Sequence, residues 1–198
     1  GNQIVPCGEW ADPKHTMLGD EQEKWLTQGL TKSTAHWQII GNQVMLAPFD
    51  GEPGPKVRTS MDQWGGYPAA RERLLTSIQQ HAPNRTVVIT GDIHSNWVNE
   101  LRSGTNQHGP IVGAEFVGTS ITSGGDGQDQ VPRVVSAMSE NPQLKWQNSR
   151  RGYVSCQVDA KAWIAEYRTV AFVSKPGAPV ETPTKWRVEH GKAGITPA

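Results

Sequence analysis

Apolar residues recur at helical spacing in the first third of the chain. Trp25, Leu26 and Leu30 follow a cluster of acidic residues, whose carboxylates suit the positive end of a helix dipole. The pattern predicts a helix that turns these three side chains toward the core. The next apolar run, residues 37–46, predicts a buried strand that is interrupted at Gly41. A helix followed by a strand is typical of layered α/β packing.

Further along the chain, segments with helical spacing continue to alternate with segments typical of strands. Pro68 fits the first position of a helix over residues 69–81. The short β-branched run 86–90 predicts a strand that is buried on both faces. The remaining expected elements are a hairpin around residues 103–110, a strand over 111–117, a loop of small residues over 118–130, a helix over 132–139, and two antiparallel strands over 153–158 and 163–170.

These elements predict a single layered unit of the α/β (α+β) class. The 198 residues suffice for one domain with a hydrophobic core, and the sequence contains no internal repeat. We assign residues 1–175 to this domain. Residues 176–198 are rich in Pro and Gly, so we expect them to form a tail that wraps the surface.

Composition narrows the classes of function. The 19 basic and 19 acidic side chains cancel, so no global field would attract nucleic acid. Mean hydropathy is −0.56, and no apolar run approaches the roughly 18–20 residues of a transmembrane helix. We therefore expect neither a nucleic-acid scaffold nor a membrane-spanning segment. Cys7 and Cys156 permit one disulfide, and the sequence leaves the bridged and free states equally open.

The residues best suited to chemistry follow the predicted strand 86–90. In an extended segment, residues two apart project to the same side, so Asp92 and His94 can point at one centre while Gly91 lets the chain turn. A carboxylate and an imidazole would then converge on a metal ion at a strand end, where ligands collect in α/β sheets. The alternative is that Asp92 caps the next segment and that His94 is an ordinary satisfied histidine.

The segment that contains Asp92 and His94 resembles the Gly-Asp-x-His-Ser-x-Trp motif of the alkaline phosphatase D family. That family is a branch of the metallophosphoesterases and includes some secreted phospholipases D. Four further segments are similar to segments of the same family in the same order, namely residues 16–26, 37–45, 62–71 and 114–123. The resemblance extends to about residue 170.

The resemblance implies a fold, a reaction and a set of metals. The fold would be the C-terminal part of a four-layer α-β-β-α sandwich with mixed sheets. The reaction would be hydrolysis of phosphate monoesters or diesters, with phospholipids among the substrates considered, in a secreted or periplasmic enzyme. Iron and calcium are the implied metals, other divalent metals being open, and Asp92 and His94 match metal-ligand positions and are the expected catalytic residues.

The other metal ligands of the family lie in an N-terminal half that this sequence does not contain. We therefore expect the chain to supply only part of an active site, with an N-terminal fragment of the same enzyme as its partner. The alternative is a non-catalytic binding or structural module that keeps the fold. The eight tryptophans also suggest a carbohydrate-binding surface as an alternative, although they form no obvious row along the sequence.

A second set of residues belongs to the matched segments without being assigned to the metal. We consider each of them either a substrate contact or a support for a metal ligand. For the aromatic residues and the arginine, packing and helix anchoring are the competing interpretation. The set is Asn42, Gln43, Trp64, Tyr67, Arg71, Ser95 and Trp97.

Overall fold

The computed structural model describes residues 3–104 and 107–198. Three α-helices and three short 3-10 turns are present in these ranges. The helices are α1 (Asp20–Lys32), α2 (Pro68–His81) and α3 (Pro132–Ala137), and the 3-10 turns are Gly8–Ala11, Trp64–Gly66 and Met138–Glu140. The strands are β1 (Gln3–Ile4), β2 (Gln38–Gly41), β3 (Thr59–Ser60), β4 (Thr86–Thr90), β5 (Asn96–Arg102), β6 (Ile111–Val117), β7 (Leu144–Asn148), β8 (Arg151–Val158), β9 (Ala162–Val170), β10 (Val180–Glu189) and β11 (Thr196–Pro197).

A five-stranded mixed sheet lies at the centre, in the order β2-β4-β6-β5-β7. Strand β4 runs parallel to both of its neighbours, β2 and β6, whereas β5 runs antiparallel to β6 and β7. A strand with parallel neighbours and covered faces favours β-branched residues, which explains why the β4 run was recognisable in the sequence. The parallel strands end at the same edge of the sheet, which we call the carboxyl edge.

A four-stranded antiparallel sheet, in the order β11-β10-β9-β8, packs against one face of the mixed sheet. The predicted strand pair around residues 159–161 is confirmed as β8 and β9. The prediction that residues 176–198 form a surface tail is wrong in secondary structure. They contain β10, which pairs with β9, and its register shift between Glu181 and Thr184 accommodates Pro183, a residue that sheets tolerate at bulges.

The core consists of three clusters that define the layers. Helices α1 and α2 cover one face of the mixed sheet through a cluster that includes Leu30, Leu75 and Val88. The two sheets meet through a second cluster, in which the Tyr167 hydroxyl donates to the Trp97 carbonyl oxygen at 2.5 Å. A third cluster lies under α3. The mixed α/β fold is confirmed. In the described residues, its layers are the helices α1 and α2, the mixed sheet and the antiparallel sheet.

Two local predictions differ from the structure. The strand predicted over residues 37–46 ends at Gly41, because the chain then leaves the sheet and the backbone N–H groups of Leu46 and Ala47 donate to the Glu115 carboxylate. Trp25 is 70% exposed rather than in the core. Leu26 and Leu30, four residues apart, share the buried face of α1, and Trp25 lies off that face.

Two further observations concern the surface and the cysteines. Cys7 and Cys156 are both free and exposed, so the disulfide that the sequence permits is not formed in the structure. Within the described ranges, no helix is long and apolar enough to cross a membrane.

Candidate active site

The turn after β4 presents Asp92 and His94 to solvent in an unusual backbone conformation. Their φ angles are +70° and +54°, in the left-handed region that non-glycine residues seldom occupy. The extended geometry expected from the sequence is therefore wrong. Instead, Ile93 N–H donates to the Gly91 carbonyl at 2.9 Å, and the Ile93 side chain packs toward the third core cluster. Left-handed residues carry strain, and such strain concentrates at functional sites.

Both side chains remain available for a ligand. Asp92 and His94 are exposed, and no hydrogen bond or ion pair holds either of them within residues 3–104 and 107–198. The turn thus places a carboxylate and an imidazole, two donors that suit a metal ion, on either side of a residue anchored in the core. Among the residues that the structure describes, no third His, Cys, Asp or Glu completes a metal site.

Ser95 and Trp97 support this turn through buried contacts. The Ser95 hydroxyl donates to the Ile93 carbonyl at 3.3 Å and accepts from Trp97 Nε1 at 2.7 Å. Both residues are buried, and the Trp97 ring lies against Phe49, with ring centroids 5.1 Å apart. Their contacts are those of supports for the turn, one of the two roles that the sequence left open for them.

Asn96 is a support that the sequence interpretation missed. It is fully buried, and its amide donates to Asn148 Oδ1 at 2.8 Å and to the Arg150 carbonyl at 3.1 Å. Its Oδ1 accepts from Thr119 N–H at 3.2 Å. These bonds connect the start of β5 with the ends of β6 and β7, so one amide fixes the carboxyl edge beside Asp92. Its position inside the recognised motif was the available signal.

Asn42 and Gln43 follow β2 and therefore lie at the carboxyl edge. Asn42 continues the pairing with β4 through a bond from its N–H to the Ile89 carbonyl at 3.0 Å. Its side-chain amide donates to the Val44 carbonyl at 2.8 Å, which closes a local turn. Gln43 is exposed. The structure thus brings both residues to the edge where Asp92 lies, and Asn42 shapes the backbone there.

Trp64 and Arg71 lie elsewhere. They line a cavity of about 270 Å³ beside α2, which we call the aromatic cavity and which Trp10, Phe49 and Gln107 also border. Neither Asp92 nor His94 belongs to its wall. Tyr67 instead packs half-buried against the first core cluster. Trp64 and Arg71 thus line a cavity to which the candidate metal ligands do not contribute, and Tyr67 has a packing contact.

Glu115 is an ionisable group inside the core that was predicted only as part of a strand. It is fully buried, and burial raises its pKa to about 7. Hydrogen bonds from Leu46 N–H at 2.6 Å, Ala47 N–H at 3.0 Å and the Asn99 amide at 3.0 Å oppose that rise. A single Glu within an otherwise apolar strand was the signal that could have indicated this role.

Comparison with known proteins decides the family. The sequence model of the PhoD-like phosphatases matches residues 2–167. The chain belongs to this family. It is 40% identical over 191 residues to alkaline phosphatase D of Bacillus subtilis strain 168, a match that covers 96% of this chain and 33% of that protein. A solved structure of PhoD superimposes with a TM-score of 0.93 at 39% identity, covering 99% of this chain and 38% of that chain.

The extent of these matches matters for function. The chain spans about a third of the length of the relatives it matches. Membership of the PhoD-like phosphatase family supports a phosphatase.

Proposed function

We propose that this chain provides the Asp92–His94 part of a metal-dependent phosphoesterase active site. The observation that supports the proposal is the strained turn at the carboxyl edge, which presents a carboxylate and an imidazole that have no partners among the described residues. The substrates would be phosphate monoesters or diesters, and phospholipids are included because the motif also resembles that of phospholipases D in this family. An exported enzyme, secreted or periplasmic, fits the same resemblance.

The donor set fits the metals implied by the family. Asp92 offers hard oxygen donors of the kind that calcium prefers, and His94 offers an imidazole nitrogen, which suits iron. Bound metal ions would supply Lewis acidity toward the phosphoryl oxygens and neutralise the charge that develops there. Asp92 and His94 would hold them, while Ser95 and Asn96 keep the turn and the strand ends in place.

We further propose that an N-terminal fragment of the same enzyme completes the site. The inner face of the mixed sheet leaves Ile39 54% exposed and Ile89 39% exposed at its β2–β4 end. In the facing sheet, the edge strand β8 leaves Val158 45% exposed on the side that pairs with buried Trp163. Apolar side chains exposed between two layers are expected where a further segment adds to the core.

Metal content and turnover of the assembled enzyme test this proposal. Asp92→Asn and His94→Ala should each lower bound metal and reduce hydrolysis of 4-nitrophenyl phosphate by at least about 100-fold, because each removes a donor at the reacting centre. The matched control is His81→Ala at the end of α2, which should keep both metal and activity. Normal metal content and turnover in either site variant would overturn the proposal.

The same measurement separates the alternative of a non-catalytic module. A module that only keeps the fold would show neither metal binding nor hydrolysis when assembled with the N-terminal fragment. An assembled wild-type protein that binds metal and hydrolyses the ester excludes it.

A further inference from the structure

The aromatic cavity contains a buried positive charge without an ion pair. Arg71 is 3% exposed, and its Nη2 donates to the Gly104 carbonyl at 3.3 Å. In the amide orientation that satisfies Gln107, its side-chain oxygen accepts from Arg71 Nη2 at 2.5 Å and Nη1 at 3.3 Å. No carboxylate forms an ion pair with Arg71 in the described ranges. Of the five N–H donors that a guanidinium carries, these bonds engage those on Nη1 and Nη2, and each acceptor is neutral.

The nearest acidic groups are engaged elsewhere. Glu72 and Glu115 act on Arg71 only through longer-range attraction. The Glu72 carboxylate accepts from Gly104 N–H, and the Glu115 carboxylate accepts from the N–H groups of Leu46 and Ala47. Burial lowers the pKa of Arg71 to about 10, so the group stays protonated at neutral pH. A buried charge in this state is stabilised by a counterion.

Trp64 supplies a second and independent indication of a ligand. Its side chain is 2% exposed and lines the aromatic cavity. Its Nε1–H has no hydrogen-bond partner among the residues that the structure describes. The indole N–H is a donor only, and a buried donor usually finds an acceptor. An acceptor inside the cavity would satisfy both Trp64 and Arg71.

Two acidic residues of the cavity wall, Asp50 and Glu140, are held by backbone N–H groups. Asp50 Oδ1 already accepts from Arg58 N–H at 2.9 Å and Glu52 N–H at 3.1 Å, within its own loop. Glu140 is exposed and accepts from Gly54 N–H at 3.4 Å. Both carboxylates therefore belong to the rim, while the donors belong to the buried part.

We propose that the aromatic cavity is a binding site for a small organic carboxylate. The carboxylate would pair with Arg71 and accept from Trp64 Nε1–H, and an apolar body would lie against Trp10 and Phe49. A planar guanidinium matches a carboxylate in geometry, and about 270 Å³ is near the lower end of ligand pockets. The site requires neither Asp92 nor His94, so it is independent of the proposed hydrolytic function.

Titration with phenylacetate tests the proposal on the protein of this sequence. The indole N–H resonances of the eight tryptophans report binding in a proton–nitrogen correlation spectrum. The Trp64 resonance should shift saturably, with a Kd of about 1 mM or below for a ligand of this size. Acetate lacks the apolar body and 2-phenylethanol lacks the charge, so each should bind at least about tenfold more weakly.

Single substitutions test whether phenylacetate binds in the aromatic cavity rather than elsewhere on the protein. Trp64→Phe keeps an aromatic ring and removes the donor, so phenylacetate affinity, followed in this variant at the Trp10 indole resonance, should fall by about threefold to tenfold. Arg71→Lys keeps the charge and removes the planar fork, with an expected loss of about tenfold or more. The matched control is Trp163→Phe in β9, an equally buried tryptophan outside the cavity, which should leave affinity unchanged.

The outcomes decide the proposal in either direction. Saturable binding that both cavity variants weaken, and that the Trp163 variant does not, supports it. Binding of 2-phenylethanol as tight as that of phenylacetate would overturn it, as would the absence of a saturable shift at the Trp64 resonance. Trp64→Phe keeps an aromatic side chain and leaves Arg71 intact, so it still tests the proposal if Arg71→Lys fails to fold.

Discussion

At the scale of single residues, Glu115 shows how burial controls a titration. Its carboxylate lies inside the core and accepts three hydrogen bonds, yet desolvation is the largest influence and raises its pKa to about 7 from an ordinary value of 4.5. A carboxyl group whose folded pKa is raised stabilises the fold fully below its unfolded pKa. That stabilisation is lost as pH rises through the folded pKa.

The Glu115 titration predicts a stability profile. Between about pH 4.5 and 7, the wild-type protein should lose up to about 3 kcal/mol of unfolding free energy that Glu115→Gln does not lose. Urea denaturation from pH 5 to 8 measures the difference. Glu166→Gln is the control, because ion pairing with Lys185 lowers the pKa of Glu166, which then titrates below this window. Parallel profiles for wild type and Glu115→Gln would contradict the prediction.

Ser95 connects the turn that carries Asp92 and His94 to the buried Trp97 through two hydrogen bonds. Ser95→Ala removes the bond to Ile93 and leaves the buried Trp97 Nε1–H without an acceptor. We expect a stability loss of about 1–3 kcal/mol and a tenfold to 100-fold loss of metal affinity in the assembled enzyme. Calorimetry and metal titration measure the two effects.

Ser136→Ala on α3 provides the comparison for Ser95→Ala. The Ser136 hydroxyl also donates to a backbone carbonyl, that of Arg133, but it is exposed and distant in sequence from the turn. It should change neither property by a measurable amount. Unaltered metal affinity in Ser95→Ala would show that the turn keeps its conformation without this hydroxyl.

At the scale of elements, the loop after β6 is fixed by long-range contacts. Asp126 accepts from the backbone N–H groups of Val173 and Ser174 at 2.7 and 2.9 Å, which also lowers its pKa. Arg150 and Asp129 form a bidentate pair at 2.8–2.9 Å. The loop appeared in the sequence as a small-residue segment, and it is held by contacts with the turn between β7 and β8 and with the connection after β9.

Two glycines of this loop allow a matched test. Gly125 and Gly127 share a φ of +70°, but a Cβ on Gly125 would meet nothing within 4 Å, whereas one on Gly127 would collide with the Ser149 carbonyl oxygen. Gly125→Ala should cost about 1–2 kcal/mol from backbone strain alone. Gly127→Ala should cost at least about 2 kcal/mol more, since backbone must move. Equal unfolding free energies for the two variants would show that the loop backbone moves without a measurable cost.

At the scale of the whole molecule, the sandwich leaves part of its interior uncovered. Ile39 and Ile89 lie on the face of the mixed sheet that carries the second core cluster, beyond the reach of the four-stranded sheet. The proposed N-terminal fragment would cover them.

The uncovered face predicts a defined assembly defect. Ile89→Asp should weaken binding of a separately produced N-terminal fragment by at least about tenfold, because a charge would be buried in the completed core. Ile121→Asp, in the loop after β6 and 67% exposed, should have no effect. Sedimentation of the mixed fragments measures the association. An equal affinity for both variants would place the fragment on another surface.

Local sequence patterns were sufficient for elements that are regular and internally consistent. Strands β4 and β6 match their predicted ranges, and α2 differs by one residue from its prediction. Strand β10 was missed because Pro183 and nearby glycines are typical of loops, although a bulge accommodates the proline. Asp92 and His94 stood out as candidate metal ligands because a glycine, a carboxylate and a histidine follow β4 directly.

The sequence by itself therefore determined the local elements, the strand-end pair Asp92 and His94, and the family resemblance. Only the tertiary structure decided that this pair lies in left-handed backbone, that Asn96 joins three strand ends, and that Trp64 and Arg71 belong to a separate cavity. The physical reason is the range of the interactions. Periodicity and turn propensity act within a few residues, whereas burial, desolvation and hydrogen bonds between strands join residues that are tens of positions apart.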